Sequence, residues 1–385
     1  MTRARIGGIG TIRWVLEGVS TMDAIVKQRA ARTLRLLVVC PSWVGDAVMA
    51  TPALRLVRER MPGIYIGVLV KPGIDEVLAG LSLFDELHTA RGSGVMGPKF
   101  VASKVRPRRY DTALLLTNSF STALIARIAG IPRRVGYDRD GRGVLLTDRL
   151  SAPKRPDGSW AVVPACLYYH RAACALLGIE GAEADALAPS AALELALTEQ
   201  QEARSAEVLH AAGVLEGDRI AILNPGGNNA AKRWPVERFA RVAEHLIERH
   251  GMRVLVNGAP AERDVVGAVV GGVREGMRGR CVGLCEMGIT LGSLKGVVRR
   301  ASIMVTNDTG PRHVAAAFGV KLVTLFGPTD HRWTTIPTRP GGEELILVAD
   351  PSLPPSEVAN DHPERCRIER IALESVTAGI DALLR

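Results

Sequence analysis

Five short polar segments, each placed just after an apolar run, hold the residues from which chemistry could be built. In Pro41-Ser42-Trp43-Val44-Gly45-Asp46, Gly45 permits a sharp turn and Asp46 opens a helix. A carboxylate there can cap the helix by accepting its free N–H groups, or it can act as a general base toward a hydroxyl at the mouth of a cleft. Spacing alone leaves both readings open. The segment Asn224 to Pro235 (NPGGNNAAKRWP) is of another kind. Gly226 and Gly227, followed by Asn228, let backbone N–H groups approach an anion; Lys232 and Arg233 add positive charge; and Pro235 in a first helical turn aims a helix dipole into the same loop. That combination suits a diphosphate, although a Gly/Asn-rich loop by itself is only a turn.

The third segment places Glu262 at a helix start after a strand, where ribose hydroxyls are often held and where capping serves as well. The fourth, Thr306 to His313 (TNDTGPRH), carries more polar groups than capping needs. Free N–H groups around Thr309 and Gly310 can bind phosphate, and Asp308 can accept hydrogen bonds from sugar hydroxyls. His313 is a further phosphate ligand or, as a lone His on a helix more often is, a packed or solvated side chain. Phe326 to Asp330 ends the next strand and can close over a nucleotide. No metal is expected. Asp138-Arg139-Asp140 has a DxD form, but Arg139 and the neighbouring Arg133, Arg134 and Arg142 are expected to neutralise it. Cys281 and Cys285 have no further Cys or His close in sequence to complete four ligands.

These segments need strands and helices to hold them. LRLLVVC at Leu34–Cys40 is an apolar run of the kind buried on both faces, and a helix from about Asp46 to Arg60 follows it. YIGVLV, DELHTA, YDTALLLTN and RRVGY continue as strands, with SFSTALIARIAG a helix between the last two. Residues 163–178 form a helix, and the linker falls at about 179–195. The second half restarts with RIAILNPGG, a helix from Pro235 to His250, MRVLVNG, RCVGL, SIMVTND, a helix from Gly310 to Phe318, and KLVTLFGP. The alternation predicts an α/β fold of two Rossmann-like domains with parallel sheets facing a central cleft, residues 34–190 and 191–360. Ligands of such sheets bind beyond the C-terminal strand ends, where all five segments lie. Residues 361–385 predict an amphipathic helix that, by analogy, packs back toward the first domain. Residues 1–33 read as an extension, disordered rather than an interfacial helix.

Composition narrows the classes. A chain of 385 residues suits two domains. With 47% hydrophobic but 4% aromatic residues, its cores are aliphatic. The net charge of +9 favours acidic partners, yet the basic loops lack interleaved aromatics, so no nucleic acid is expected. No apolar run is long enough to span a bilayer. Six cysteines without CxxC spacing suit buried thiols in a reducing compartment, hence a cytoplasmic chain. The missing GxGxxG argues against a nicotinamide-dependent dehydrogenase.

The motifs WVGDAVMATPAL, NPGG with AKRWP, and TNDTGPRHVAAA leading into LFGPT resemble the lipopolysaccharide heptosyltransferases of glycosyltransferase family nine, especially the heptosyltransferase II branch, over about residues 34–376. The resemblance implies a GT-B fold, with the acceptor on the N-terminal domain and an ADP-sugar on the C-terminal one. It places Asp46 on the catalytic aspartate, Lys232 on the diphosphate-binding lysine, Glu262 near the nucleotide ribose, Asp308 on the donor heptose and Thr309–His313 against the phosphates. It implies inverting, metal-independent transfer from ADP-heptose to the heptose of a lipid A-Kdo-heptose acceptor, without a cofactor, at the inner face of the inner membrane. Asn228, Asn229 and Pro311-Arg312 depart from relatives. The alternatives are a relative with another donor or acceptor, and a non-catalytic nucleotide-sugar-binding protein.

Overall fold

The computed structural model describes residues 34–187, 191–337, 339, 341–354 and 364–385. The expected extension 1–33 and the expected boundary at 360 lie outside these residues. β1 (Arg35–Val39), β2 (Tyr65–Val70), β3 (Glu86–Thr89), β4 (Thr112–Leu115), β5 (Arg133–Tyr137) and β6 (Asp148–Leu150) form one parallel sheet in the order 3-2-1-4-5-6. β7 (Ile220–Asn224), β8 (Arg253–Val256), β9 (Cys281–Gly283), β10 (Ile303–Asn307), β11 (Lys321–Phe326) and β12 (Glu344–Val348) repeat the plan as 9-8-7-10-11-12. The α/β expectation of two Rossmann-like sheets is met. The central strands β1, β7 and β10 are the continuous apolar runs, buried over almost their full length. Not anticipated were β6 and β12, edge strands that are only half-buried.

Helices α1 (Val44–Met49), α2 (Thr51–Arg60), α3 (Ile74–Leu78), α4 (Gly97–Val105), α5 (Phe120–Ile128), α6 (Ala165–Leu177) and α7 (Ala182–Asp185) accompany the first sheet. With the second go α8 (Glu199–Ala211), α9 (Val236–His250), α10 (Arg263–Gly272), α11 (Leu291–Arg299), α12 (Gly310–Ala317) and α13 (Leu373–Leu383). Among the described residues no helix is long and apolar enough to cross a membrane.

Two expectations are corrected. The single helix from Asp46 to Arg60 is two, α1 and α2, meeting at Ala50. Pro52 has no N–H to give the carbonyl four residues back, and the Thr51 hydroxyl donates to that Val48 carbonyl instead, at 2.7 Å. The C-terminal helix does not return to the first half. Val376 and Ile380 of α13 are fully buried in the core of the second sheet. Asp381 accepts from His245 and pairs with His250, each at 2.7 Å, and with Arg249, all near the end of α9. Amphipathic spacing shows that a face is buried without showing against what.

One apolar cluster crosses between the halves, running from Leu36, Val48 and Leu54 to Leu294, Val314 and Ala316. A buried cation pins the same interface. Lys295 of α11, fully buried, donates to the carbonyls of Val77 (3.1 Å) and Ala79 (2.8 Å) at the end of α3 and to that of Ala196 (2.7 Å) in the connector. Burial pushes its ammonium down to about 8, against the opposing pull of Glu76, while the dipole at a helix C-terminus favours the charge. Lys295→Met keeps the stem and leaves three carbonyls without their donor. It is expected to lower the free energy of unfolding by about 2–3 kcal/mol in urea titration; an unchanged midpoint would remove the latch from this account.

Candidate active site

In a sheet of order 3-2-1-4-5-6, chain connections depart in opposite directions from the two central strands, leaving a crevice at their C-terminal ends. In the first half this point lies between β1 and β4, and in the second between β7 and β10. Asp46 follows β1; the loop from Pro225 to Lys232 follows β7; Asp308 follows β10. The sequence-predicted residues of both halves therefore stand at the two switch points.

The halves meet there through helix N-termini. A Cβ at Gly45 would lie 2.5 Å from Cδ2 of His313, and one at Gly310 would lie 2.9 Å from Cβ of Val44. Both distances are shorter than side chains tolerate, so α1 and α12 approach this closely only because each carries glycine at its start. His313 is buried in this contact, and burial, aided by the Arg312 charge, holds its imidazole well below the usual histidine range. The ring packs against Gly45, and its buried Nδ1 has no hydrogen-bond partner.

Asp46 occupies the first turn of α1 but does not cap it; Trp43 is the N-cap residue, and no side chain makes a capping bond. The carboxylate instead accepts a hydrogen bond from the Tyr169 hydroxyl on α6, at 2.8 Å. Burial raises the Asp46 carboxyl above the ordinary range. The Tyr169 bond and a backbone N–H oppose that rise, and the negative charge of Asp308 across the cleft adds to it. A partly buried carboxylate facing another carboxylate is poised to take a proton. Sequence reasoning missed Tyr169, 123 positions away, whose only local signal was a Tyr-Tyr pair inside a helix. Trp43, already part of the first segment, is 66% exposed three residues before Asp46.

Opposite stands a layer of amides. Asn224, at the end of β7, donates to Thr306 (3.1 Å) and Thr309 (2.8 Å) and accepts from Asn257 (2.7 Å). Asn307 donates to the carbonyls of Pro225 and Gly226, at 2.8 and 3.1 Å. Glu262 accepts from the backbone N–H groups of Gly227 and Ala259, both at 2.8 Å, and leaves no room for a side chain at Gly226. Its observed work is to tie the β7 loop to the β8 loop. Arg233 folds back to donate to the Gly227 carbonyl at 2.8 Å, and Asn228 is exposed. Lys232 reaches across to Asp308 at 3.1 Å. Asp308 is further held by Arg312 at 3.5 Å, and Arg312, fully buried, forks onto Glu344 at 2.7 and 3.0 Å. Gly226, Gly227, Lys232, Asp308, Thr309 and the start of α12 thus form one polar wall across the cleft from Asp46, with Lys232 paired to Asp308 and the Gly227 N–H held by Glu262.

The expected neutralisation of the DxD segment holds in part: the charges of Asp138 and Asp140 act favourably on Arg142. Arg133 pairs with Asp148, while Arg134 and Arg142 spend their guanidinium groups on main-chain carbonyls. Asp138 meets Arg149 at 4.0 Å, and Arg139 stacks over Trp160. The six cysteines are free thiols, and Cys285 donates to the Gly258 carbonyl.

Comparison with known proteins agrees with this geometry. The chain is 28% identical over 307 residues to lipopolysaccharide heptosyltransferase 2 of Escherichia coli, covering 78% of this chain and 85% of that protein. It is 28% identical over 306 residues to lipooligosaccharide heptosyltransferase 2 of Haemophilus influenzae, with the same coverage. The solved structure of the E. coli ADP-heptose LPS heptosyltransferase II superposes with a TM-score of 0.74 over 91% of this chain and 98% of that one, at 24% identity. Residues 100–352 match the family described as glycosyltransferase family 9 (heptosyltransferase). With its paired Rossmann-like sheets in the GT-B arrangement, the chain belongs to glycosyltransferase family 9, the heptosyltransferases.

Proposed function

We propose that this enzyme transfers L-glycero-D-manno-heptose from ADP-heptose to the heptose of a lipopolysaccharide inner core, with inversion and without a metal or other cofactor. The observation that carries the reading is the opposition of Asp46, on the first half, to the Lys232–Asp308 pair, on the second. Neither wall is sufficient alone. The names of the E. coli and H. influenzae relatives support the second heptose as the one transferred.

The acceptor hydroxyl gives its proton to Asp46 as its oxygen attacks the anomeric carbon. The bond from that carbon to the β-phosphate oxygen breaks, and ADP leaves with the electron pair. Its growing charge is met by Lys232, which exchanges Asp308 for phosphate, by the Gly226–Gly227 loop, where the Gly227 N–H first leaves Glu262, and by the start of α12, which is fixed before the reaction. Asp308 holds Lys232 in place until phosphate competes for it, and in the donor complex it accepts from heptose hydroxyls. Glu262 positions the loop and, near it, the ribose. Such an acceptor is anchored in lipid, which puts the enzyme at the cytoplasmic surface of the inner membrane.

Three outcomes are expected. Asp46→Asn lowers turnover with ADP-heptose and a heptose-bearing core acceptor by roughly a hundredfold to ten-thousandfold, with ADP-heptose affinity nearly unchanged in calorimetry; undiminished turnover would exclude Asp46 as the base. The base works deprotonated, so activity falls as pH drops through its raised folded-state value, higher than for an ordinary aspartate. Tyr169→Phe removes a bond that favours the carboxylate, so the acid limb of kcat/KM moves further up in pH. A limb that stays put or moves down contradicts the assignment.

A further inference from the structure

A basic, partly apolar surface lies on the first half, on a turn and helix that hold none of the residues described above. Between Arg91 and Lys104 the chain carries three cations, Arg91, Lys99 and Lys104, and no acidic residue. In the same stretch Val95 is 96% exposed, Met96 61% and Phe100 51%. The inner face of α4, Val101, Ala102 and Val105, packs into the first half's core. Its outer face carries Met96, Lys99, Phe100 and Lys104, with the Lys104 ammonium 5.3 Å from the Phe100 ring centre. The loop before it is a closed turn, Gly97 N–H donating to the Gly94 carbonyl at 3.2 Å, with Val95 and Met96 at its tip. Solvent alone does not account for three large apolar side chains projecting within six residues.

We infer that the turn at Val95–Met96 and the outer face of α4 form a docking surface for an anionic lipid bilayer, the apolar tip entering the interface and the surrounding Lys and Arg side chains meeting the headgroups. Charge complementarity selects this occupant. A second copy meeting through the same face would set like charges against each other. Nucleic acid would use the cations but leave Val95, Met96 and Phe100 without a role. Position supports it as well. In a parallel sheet all C-terminal strand ends share one edge, so the chain leaving β3 toward this turn emerges on the side where Asp46 follows β1, two strands away. A bilayer against this turn lies on the side of the sheet that holds the cleft. The docking itself does not depend on the proposed reaction; only its use, delivery of a lipid-borne acceptor, rests on that reading.

The test uses the full chain and flotation with vesicles of phosphatidylglycerol and phosphatidylethanolamine against vesicles of phosphatidylcholine. Wild type is expected to partition at least tenfold more to the anionic vesicles. Val95→Ser with Met96→Ser and Phe100→Ser, and separately Lys99→Glu with Lys104→Glu, should each lose at least tenfold of that binding. Both variants should keep the wild-type melting temperature and wild-type transfer to a delipidated, soluble core acceptor. Wild type that ignores anionic vesicles, or variants that still float as wild type does, would overturn the proposal, as would apolar variants that keep binding while only the charge variants lose it. Vesicle binding through this face in a protein that transfers no heptose would leave the docking standing and remove the reaction; transfer to the soluble acceptor without vesicle binding would do the reverse.

Discussion

Everything proposed for the cleft depends on how closely the first turns of α1 and α12 meet. Gly45 against His313 and Gly310 against Val44 bring backbone to side chain at distances no Cβ would permit. This contact makes two separately built Rossmann-like sheets share one crevice, since it joins them at their switch points. It also removes water from around Asp46, and that desolvation is the largest cause of its raised pKa. The His313 ring belongs to the same contact, where burial disfavours its charged form.

The second wall is rigid because its polar groups are satisfied by one another. Asn224, Asn257 and Asn307 stand at or just beyond the ends of three strands and bond across them. Buried amides that are fully paired fix a loop far better than exposed ones, because any movement leaves a donor or acceptor unmatched in low dielectric. The ionic chain Lys232–Asp308–Arg312–Glu344 runs from the cleft into the core. Its inner pair is buried, where losing either partner strands a charge. Its outer member, Lys232, is partly exposed and can exchange one anionic partner for another. Rigidity inside and exchangeability at the surface are what a diphosphate site requires.

Much of this was legible in the sequence. β1, β7 and β10 read as strands because strands covered on both faces must be continuously apolar, and the polar segments after them followed from the rule that parallel sheets bind at their C-terminal edge. β6 and β12 were not legible, because half-buried edge strands carry no such run. The break at Ala50 was written in Pro52, yet the apolar spacing on either side masked it. Asp46 could not be separated from a helix cap until Tyr169, brought in by α6 from far along the chain, was seen to take its carboxylate. Glu262 was visible as a carboxylate at a helix start, and its bond to the Ala259 N–H is the capping that position suggests; its other partner, the Gly227 N–H, comes from the β7 loop and no local pattern announces it.

The central claim is a single displacement across the cleft, with base and leaving group supplied from opposite halves. The stereochemistry of the product tests it most directly. Transfer from ADP-heptose of defined anomeric configuration, followed by NMR assignment of the new glycosidic linkage, is predicted to give the inverted configuration at the anomeric carbon. A product with the configuration retained would require two displacements or a front-side route, and would contradict the roles given to Asp46 and to the wall that faces it.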